Sequence, residues 1–317
     1  MDFIRDLFSY PFGFALSLFY NLTDSYILAI VLLTVIIRLC LLPASISQQK
    51  NSAKQVRLNT KVNKIKQKYA GNQQKIQEET QALYQREGFG AANMGCAPML
   101  IQMLVMIGLY GVIYTPLSSV LRFSADTVTK LRDVMGIAVE TGKNAANASR
   151  MAEITILQKF TDFEDKISDV LSASEISDLV ALKERFTVFG LDLAETPQMK
   201  EPSAAWIIPI LAFATAMASS LFMYFKQRKQ NPEMAKNPTM GCMTFMSPVM
   251  SLWFTFMFPA GVGFYWIISN IISFVQQVAL STLYSPKKVI AQQMVDETVE
   301  RRSREENVKR QAEIQGK

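Results

Sequence analysis

Residues 26–42 read Tyr-Ile-Leu-Ala-Ile-Val-Leu-Leu-Thr-Val-Ile-Ile-Arg-Leu-Cys-Leu-Leu, an apolar run closed by Pro43 and interrupted by one charge, Arg38. With its flanks the run supplies about the ~20 residues a helix needs to cross a bilayer core. A guanidinium at that depth costs roughly 2.5–3.5 kcal/mol on insertion scales, which makes an intramembrane arginine a candidate functional group. Arg38 also stands only five residues before Pro43. That is about 7–8 Å along a helix rising ~1.5 Å per residue, and a long side chain can snorkel that far to the interface. The run by itself leaves both readings open.

Composition narrows the class. Half of the 317 residues are apolar and 19% are charged, and the mean hydropathy is positive. This is the balance of an integral membrane protein with sizeable polar parts. Histidine is absent, which removes histidine metal sites, Ser-His and Cys-His nucleophile pairs and histidine proton relays. Cys40, Cys96 and Cys242 fall in or beside apolar segments without a CxxC pair, so they read as small apolar packing residues. No Walker motif, GxSxG, HExxH or acidic pair occurs. No cofactor, no metal and no enzymatic step is expected.

Length and apolar periodicity divide the chain into ten stretches. Residues 1–23, with Asp2 and Asp6 around Arg5 and a break expected at Pro11 and Gly13, read as a helix in the membrane interface. A first span covers 24–45, a cytoplasmic helical hairpin 46–95, a second span 96–115 and an extracytoplasmic region 116–203. A third span at 204–225, a loop at 226–240, a fourth span at 241–258, an outer turn with the fifth span at 259–285 and a basic tail at 286–317 complete the series. The fold class expected is all-α, a polytopic membrane protein with five transmembrane helices. Lys plus Arg outnumber acids nine to three in 46–95, four to one in 226–240 and eight to six in the tail, whereas 116–203 has ten against fourteen. The positive-inside rule then places the amino end outside and the carboxyl end in the cytoplasm.

In 46–95, Leu58, Val62, Ile65 and Tyr69 form a narrow apolar stripe, Ala70-Gly71-Asn72 breaks the helix, and Ile76 and Leu83 place a second stripe on the returning arm. Lys54, Arg57, Lys61, Lys64, Lys66 and Lys68 are expected on the exposed side, as a solvated face beside an anionic membrane or a surface for acidic or RNA-rich partners. In 116–203, Ser172 and Glu175 form a capping box ahead of Ile176, Leu179 and Val180.

Thr34 shares a helix face with Arg38. Gln102 stands early in the second span, and Tyr265, Trp266, Ser269 and Asn270 stand early in the fifth, followed by Gln276 and Gln277. Each alone is explained by packing against a neighbouring helix, but together they point to an interior polar cavity. Two methionine stripes accompany them, Met99, Met103 and Met106 on the second span and Met243, Met246, Met250 and Met257 on the fourth. These serve either ordinary packing or a pliable surface for varied apolar segments.

Four regions in order resemble the YidC/Oxa1/Alb3 family of membrane protein insertases. They are Thr34-Val-Ile-Ile-Arg38 through Pro43, the basic hairpin with Lys68-Tyr69 and Leu83-Tyr84, Gly95-Cys96-Ala-Pro98-Met-Leu-Ile-Gln102, and Phe258-Pro-Ala-Gly-Val-Gly-Phe-Tyr-Trp-Ile-Ile-Ser-Asn270 with Gln276-Gln277. The lack of an extra first span and large periplasmic domain looks like the Gram-positive type. The sequence departs from the family pattern at Leu104, at Ala91-Ala92 and in its long external region. The resemblance implies a five-helix core around a hydrophilic groove open to cytoplasm and lipid, with Arg38 as its charge and Thr34, Gln102, Tyr265, Trp266 and Asn270 along it. It implies a multi-pass protein of the bacterial plasma membrane whose partners are nascent membrane proteins and the lipid bilayer, with no specific nucleic acid sequence. A ribosome and a Sec translocon stay open as further partners. The other classes weighed are a small-solute channel or transporter, for which neither an inverted repeat nor an intramembrane acid is present, and a structural scaffold with a snorkelling arginine.

Overall fold

The computed structural model describes residues 2–88, 96–137, 145–230 and 238–315, with side chains placed at 9–88, 102–137, 151–229 and 244–314. Asp2, Arg5 and Asp6, the Ala91-Ala92 pair, the side chains of 95–101 with Cys96, Pro98 and Met99, Glu233 and Lys236 of the loop, Cys242 and Met243 fall outside these limits. The fold is all-α. Among the described residues the only strands are β1 (Thr187–Val188) and β2 (Leu191–Asp192), paired antiparallel. Ala204–Lys229 and Ala260–Leu283 are each long and apolar enough to cross a membrane, Tyr26–Cys40 passes the same test together with the helix after it, and Gln102–Tyr114 is a shorter apolar helix. The chain forms two compact units, 1–40 with 101–274 and 41–100 with 275–317.

In the first unit, α1 (Asp2–Thr23) runs unbroken through Pro11 and Gly13. Proline removes one backbone hydrogen bond, but the helix is held from the side. Ser9 Oγ donates to the Gly108 carbonyl (3.3 Å) and Ser17 Oγ to the Val120 carbonyl (3.2 Å). Ser119 packs against Gly13, 3.5 Å from where a Cβ would sit, an ordinary van der Waals distance. Leu16 and Tyr20 are buried on this side, while Tyr10, Phe14, Leu18 and Leu22 form an exposed stripe. Asp24, at φ 51°, turns the chain into α2 (Tyr26–Cys40). α2 ends at Cys40, earlier than the expected 45. Pro43 cannot donate to the carbonyl four residues before it, but in the first turn of α3 (Leu42–Lys68) the missing N–H is harmless.

The 116–203 segment is a small helical domain. α5 (Cys96–Tyr114) leads into α6 (Pro116–Ser119), α7 (Ala125–Val134), α8 (Ala145–Lys159), α9 (Glu164–Ile167) and α10 (Ala173–Phe186). Leu117, Leu131, Ile154, Phe160, Leu179 and Phe186 fill its core. Both arms of the Ser172–Glu175 capping box are formed. Glu153, 6% exposed, accepts from the Ser118 backbone N–H (2.9 Å) and the Ser118 hydroxyl (2.6 Å). Its carboxylate thus caps α6, where free N–H groups favour a negative charge. Burial pushes the Glu153 carboxyl above the usual glutamate range, and the bonds from Ser118 pull it partly back. Tyr26 stacks on Phe186 with ring centroids 4.1 Å apart. Arg185 donates to the Tyr20 hydroxyl (3.0 Å) and pairs with Asp24 (3.2 Å), tying the domain to the α1–α2 corner.

α11 (Ile207–Gln230), α12 (Pro238–Thr255) and α13 (Ala260–Leu283) follow. A Cβ on Gly263 would lie 2.4 Å from Ile208 Cγ2 and 3.2 Å from Thr255 Cγ2, so the helices meet there only because the residue is glycine. The Ala260 and Gly261 amides donate to the carbonyls of Glu195 (2.7 Å) and Leu193 (2.8 Å), which fixes the start of α13 against the end of the small domain.

The second unit holds α3, α4 (Gln73–Arg86) and α14 (Pro286–Gln315). The hairpin turn carries Gly71 at φ 93°, and Asn72 caps α4 by accepting from the Lys75 N–H (3.1 Å). The tail is a 30-residue helix packed along α3, so α14 as well as α4 covers the stripe of Ala53, Leu58 and Val62. This corrects the expected basic face. Lys64, Lys66 and Lys68 are exposed, but Lys54, Arg57 and Lys61 are half-buried. Arg57 makes two bonds to the Glu297 carboxylate (2.7 and 3.0 Å), Lys61 pairs with Glu87, and Lys54 donates to the Glu87 carbonyl (2.9 Å). The acceptors are distant in sequence, and folding alone brings them to the arm.

Three outcomes are expected. Gly263→Ala overpacks the contact with Ile208 and should destabilise by about 1–3 kcal/mol, read as a lower thermal unfolding midpoint in detergent. Glu153 has a raised pKa in the fold, so its contribution is full below the ordinary glutamate value of ~4.3 and is lost as pH rises through the folded value. Protease resistance of 116–203, compared between wild type and Glu153→Gln, should therefore favour the wild type less as pH rises over that window. Glu153→Leu strands the Ser118 amide and should cost about 1–3 kcal/mol.

Candidate functional site

α2 is apolar on all sides, and its buried face is Tyr26, Ala29, Ile30, Leu33 and Thr34. One turn beyond that face stands Arg38, in the last turn of the helix, where a cation is favoured by the exposed carbonyls. Its Nη2 donates to Ser269 Oγ on α13 at 2.6 Å. Ser269 is 3% exposed, against a half-buried Arg38. One turn further along α13, Ser273 Oγ donates to the Ser269 carbonyl at 2.5 Å. A guanidinium has five donors, and this bond uses one. Among the described residues no carboxylate pairs with Arg38, so its charge is held by a neutral hydroxyl.

The other expected groove residues divide into groups. Thr34 is 2% exposed and gives its hydroxyl to the Ile30 carbonyl (2.7 Å) within its own helix. Tyr265 is likewise buried, one turn before Ser269 on the same side of α13. Asn270 faces α11, with Nδ2 3.4 Å from the Ala212 carbonyl and 3.3 Å from Thr215 Oγ1. Trp266 sits in an aromatic cluster, its ring 6.4 Å from Tyr110, 5.9 Å from Phe254 and 6.4 Å from Phe258. Tyr110 and Phe258 approach each other at 4.9 Å. Gln102 is half-buried at the start of the described side chains of α5.

Arg38 and Ser269 are thus brought together, Asn270 is turned to α11, and Trp266 is walled by rings. Ser269 was legible as one more polar residue, and its spacing of four from Tyr265 was the signal that it shares that face. Tyr110 and Phe254 carried no such signal, because single aromatics in apolar helices look alike in sequence, and Phe258 was legible only as the start of the Phe258–Asn270 motif. The methionines at 103, 246, 250 and 257 are exposed, so these four are surface rather than core residues. Among the described residues no cluster of acidic or cysteine side chains could hold a metal ion.

The family model described as 60Kd inner membrane protein matches residues 18–288. The membrane protein insertase MisCA of Bacillus subtilis is 28% identical over 272 residues, covering 84% of this chain and 75% of that protein. The membrane protein insertase YidC 1 of Listeria monocytogenes is 24% identical over 284 residues, covering 88% and 72%. A Rickettsia africae membrane protein insertase YidC is 27% identical over 267 residues, which is 84% of this chain and 37% of that longer protein. With six-sevenths of its length matched, from the end of α1 through the start of α14, this chain belongs to the 60Kd inner membrane protein family, the YidC/Oxa1 family.

Proposed function

We propose that the chain is a membrane protein insertase, which takes hydrophobic segments of nascent proteins into the lipid bilayer without a chemical step. The observation that carries this reading is Arg38, a charge at the end of an apolar helix bonded to the buried hydroxyl of Ser269 and unpaired with any carboxylate among the described residues. A structural ion pair would quench that charge. A serine leaves it free to meet polar or acidic groups on a passing substrate. The substrate helix of ~20 apolar residues gains free energy on entering lipid, so the barrier is the transfer of its polar flank. A hydrated groove shortens the dry path, and weak contacts allow release.

In this reading the five spans surround a groove open to the cytoplasm and to lipid, with Gln102, Trp266 and Asn270 along it and buried Thr34 and Tyr265 as its wall. The basic segments 46–95 and 226–240 support a cytoplasmic carboxyl end and an outside amino end in a bacterial plasma membrane. Lys64, Lys66 and Lys68, still exposed on α3, are the cations available to a ribosome, while a Sec partner would meet the spans. The exposed methionines offer a deformable apolar surface to varied substrates.

Reconstitution in liposomes with a short single-span substrate tests the reading. Arg38→Ala should abolish insertion of substrates with acidic flanks, and Arg38→Lys should keep much of it. Equal activity in all three proteins would show that the arginine only snorkels. Independently, single cysteines at 102 and 266, in a protein lacking Cys40, Cys96 and Cys242, should react with a membrane-impermeant maleimide from the cytoplasmic side alone. Reaction from the opposite side would indicate a through-pore, and protection from both sides would leave no groove.

A further inference from the structure

The small domain ends in a feature that insertion of substrates does not use. β1 and β2 form a two-residue hairpin, Val188 pairing with Leu191, with Phe189 and Gly190 as the loop. Both loop residues have positive φ, 51° for Phe189 and 78° for Gly190. That is the backbone of tight hairpin turns in which Asn-Gly is favoured, because a side chain with a Cβ is strained there unless it is short and polar. Phe189 nevertheless occupies the strained position, and it is 98% exposed, the most exposed large apolar side chain described. Among the described residues no ring contact offsets the strain or covers the bare ring.

The hairpin's place in the fold supplies the partner. Leu193 and Glu195, just after β2, receive the amides of Gly261 and Ala260, the first residues of the apolar helix Ala260–Leu283. The next apolar helix in sequence begins at Ala204. Phe189 therefore stands four residues from a backbone clamp onto one membrane helix and fifteen from the start of another. Even fully extended at ~3.3 Å per residue, four residues span at most about 13 Å, and the tight turn shortens this, so the tip stays near the start of that helix. Trp206 lies at the start of that second helix, its Nε1 donating to the Gln198 carbonyl (2.8 Å), as interfacial tryptophans do with their polar edge. Met199 and Ile207 beside it are exposed apolar residues. Residues 186–191 carry no charge, in a segment with ten bases and fourteen acids.

We propose that Phe189 is a membrane anchor: the hairpin tip inserts its ring into the lipid interface on the face where α13 begins, and so holds the small domain against the bilayer. The inference rests on α11 and α13 being membrane spans and is otherwise independent of the insertase reading. Its ligand is the apolar–polar boundary of the lipid itself, not a protein client, since the tip is presented beside the ends of two spans.

The test uses the full chain, with Cys40, Cys96 and Cys242 replaced, in liposomes of purified phospholipid and no other protein. A nitroxide on cysteine at 189 should collide more often with oxygen than with a water-soluble nickel complex, the signature of lipid, while one at Ser174, at the far end of α10, should show the reverse. A label at Ile210 on α11 reports the span. Water exposure at 189 with lipid exposure at 210 would overturn the anchor alone, and would leave a protein partner as the occupant of the tip. Water exposure at both would remove the spans and the anchor with them. Because a nitroxide is itself apolar, cleavage of otherwise unaltered protein supplies a second readout. Phe189→Asn relieves the backbone strain yet should make 116–203 more protease-sensitive in liposomes, and no more so in detergent. Equal or greater resistance of Phe189→Asn in liposomes would contradict anchoring.

Discussion

Arg38 is the one charge on an otherwise apolar helix, and its partner in this chain is the hydroxyl of Ser269. That one bond joins α2 to α13, helices 231 residues apart in sequence at the bonded positions. A carboxylate there would make a closed ion pair and a purely structural contact. A serine satisfies one donor and leaves the charge. Gly263 governs a different contact of the same helix: with Ile208 Cγ2 only 2.4 Å from its missing Cβ, the approach of α13 to α11 is set by the absence of a side chain. Asn270 then adds polar bonds to α11 on the flank.

The 116–203 domain does more than connect two spans. It is pinned at three levels: stacking of Tyr26 on Phe186, the Arg185–Tyr20–Asp24 cluster, and the backbone clamp of Leu193 and Glu195 on the first turn of α13. The last of these fixes a helix that carries Tyr265, Trp266, Ser269 and Asn270. The 116–203 domain thus helps set the register of α13.

In the second unit the same economy applies to charge. Glu87 and Glu297 take up Arg57 and Lys61, while Lys64, Lys66 and Lys68 near the hairpin turn stay exposed. Such partly solvated pairs add little stability individually. Their effect is to leave Lys64, Lys66 and Lys68 as the exposed cations of the arm.

The sequence by itself determined the all-α class, the hairpin break at Ala70-Gly71-Asn72 and the Ser172 cap, and it singled out Arg38 as the one charge in its apolar run. These depend on local rules: apolar run length, helix capping and glycine at a turn. The family was legible in a different way, from the resemblance of four motifs in order. Only the tertiary structure decided which polar residue Arg38 meets, that Asn270 turns to α11, that Trp266 is enclosed by Tyr110, Phe254 and Phe258, and that the tail lies along α3. Partner choice depends on contacts between residues far apart in the chain, and a helical period states which face a side chain is on without stating what that face will touch. Pro11 makes the same point in reverse. Its local rule predicts a break, and side bonds from Ser9 and Ser17 to distant carbonyls carry the helix through it.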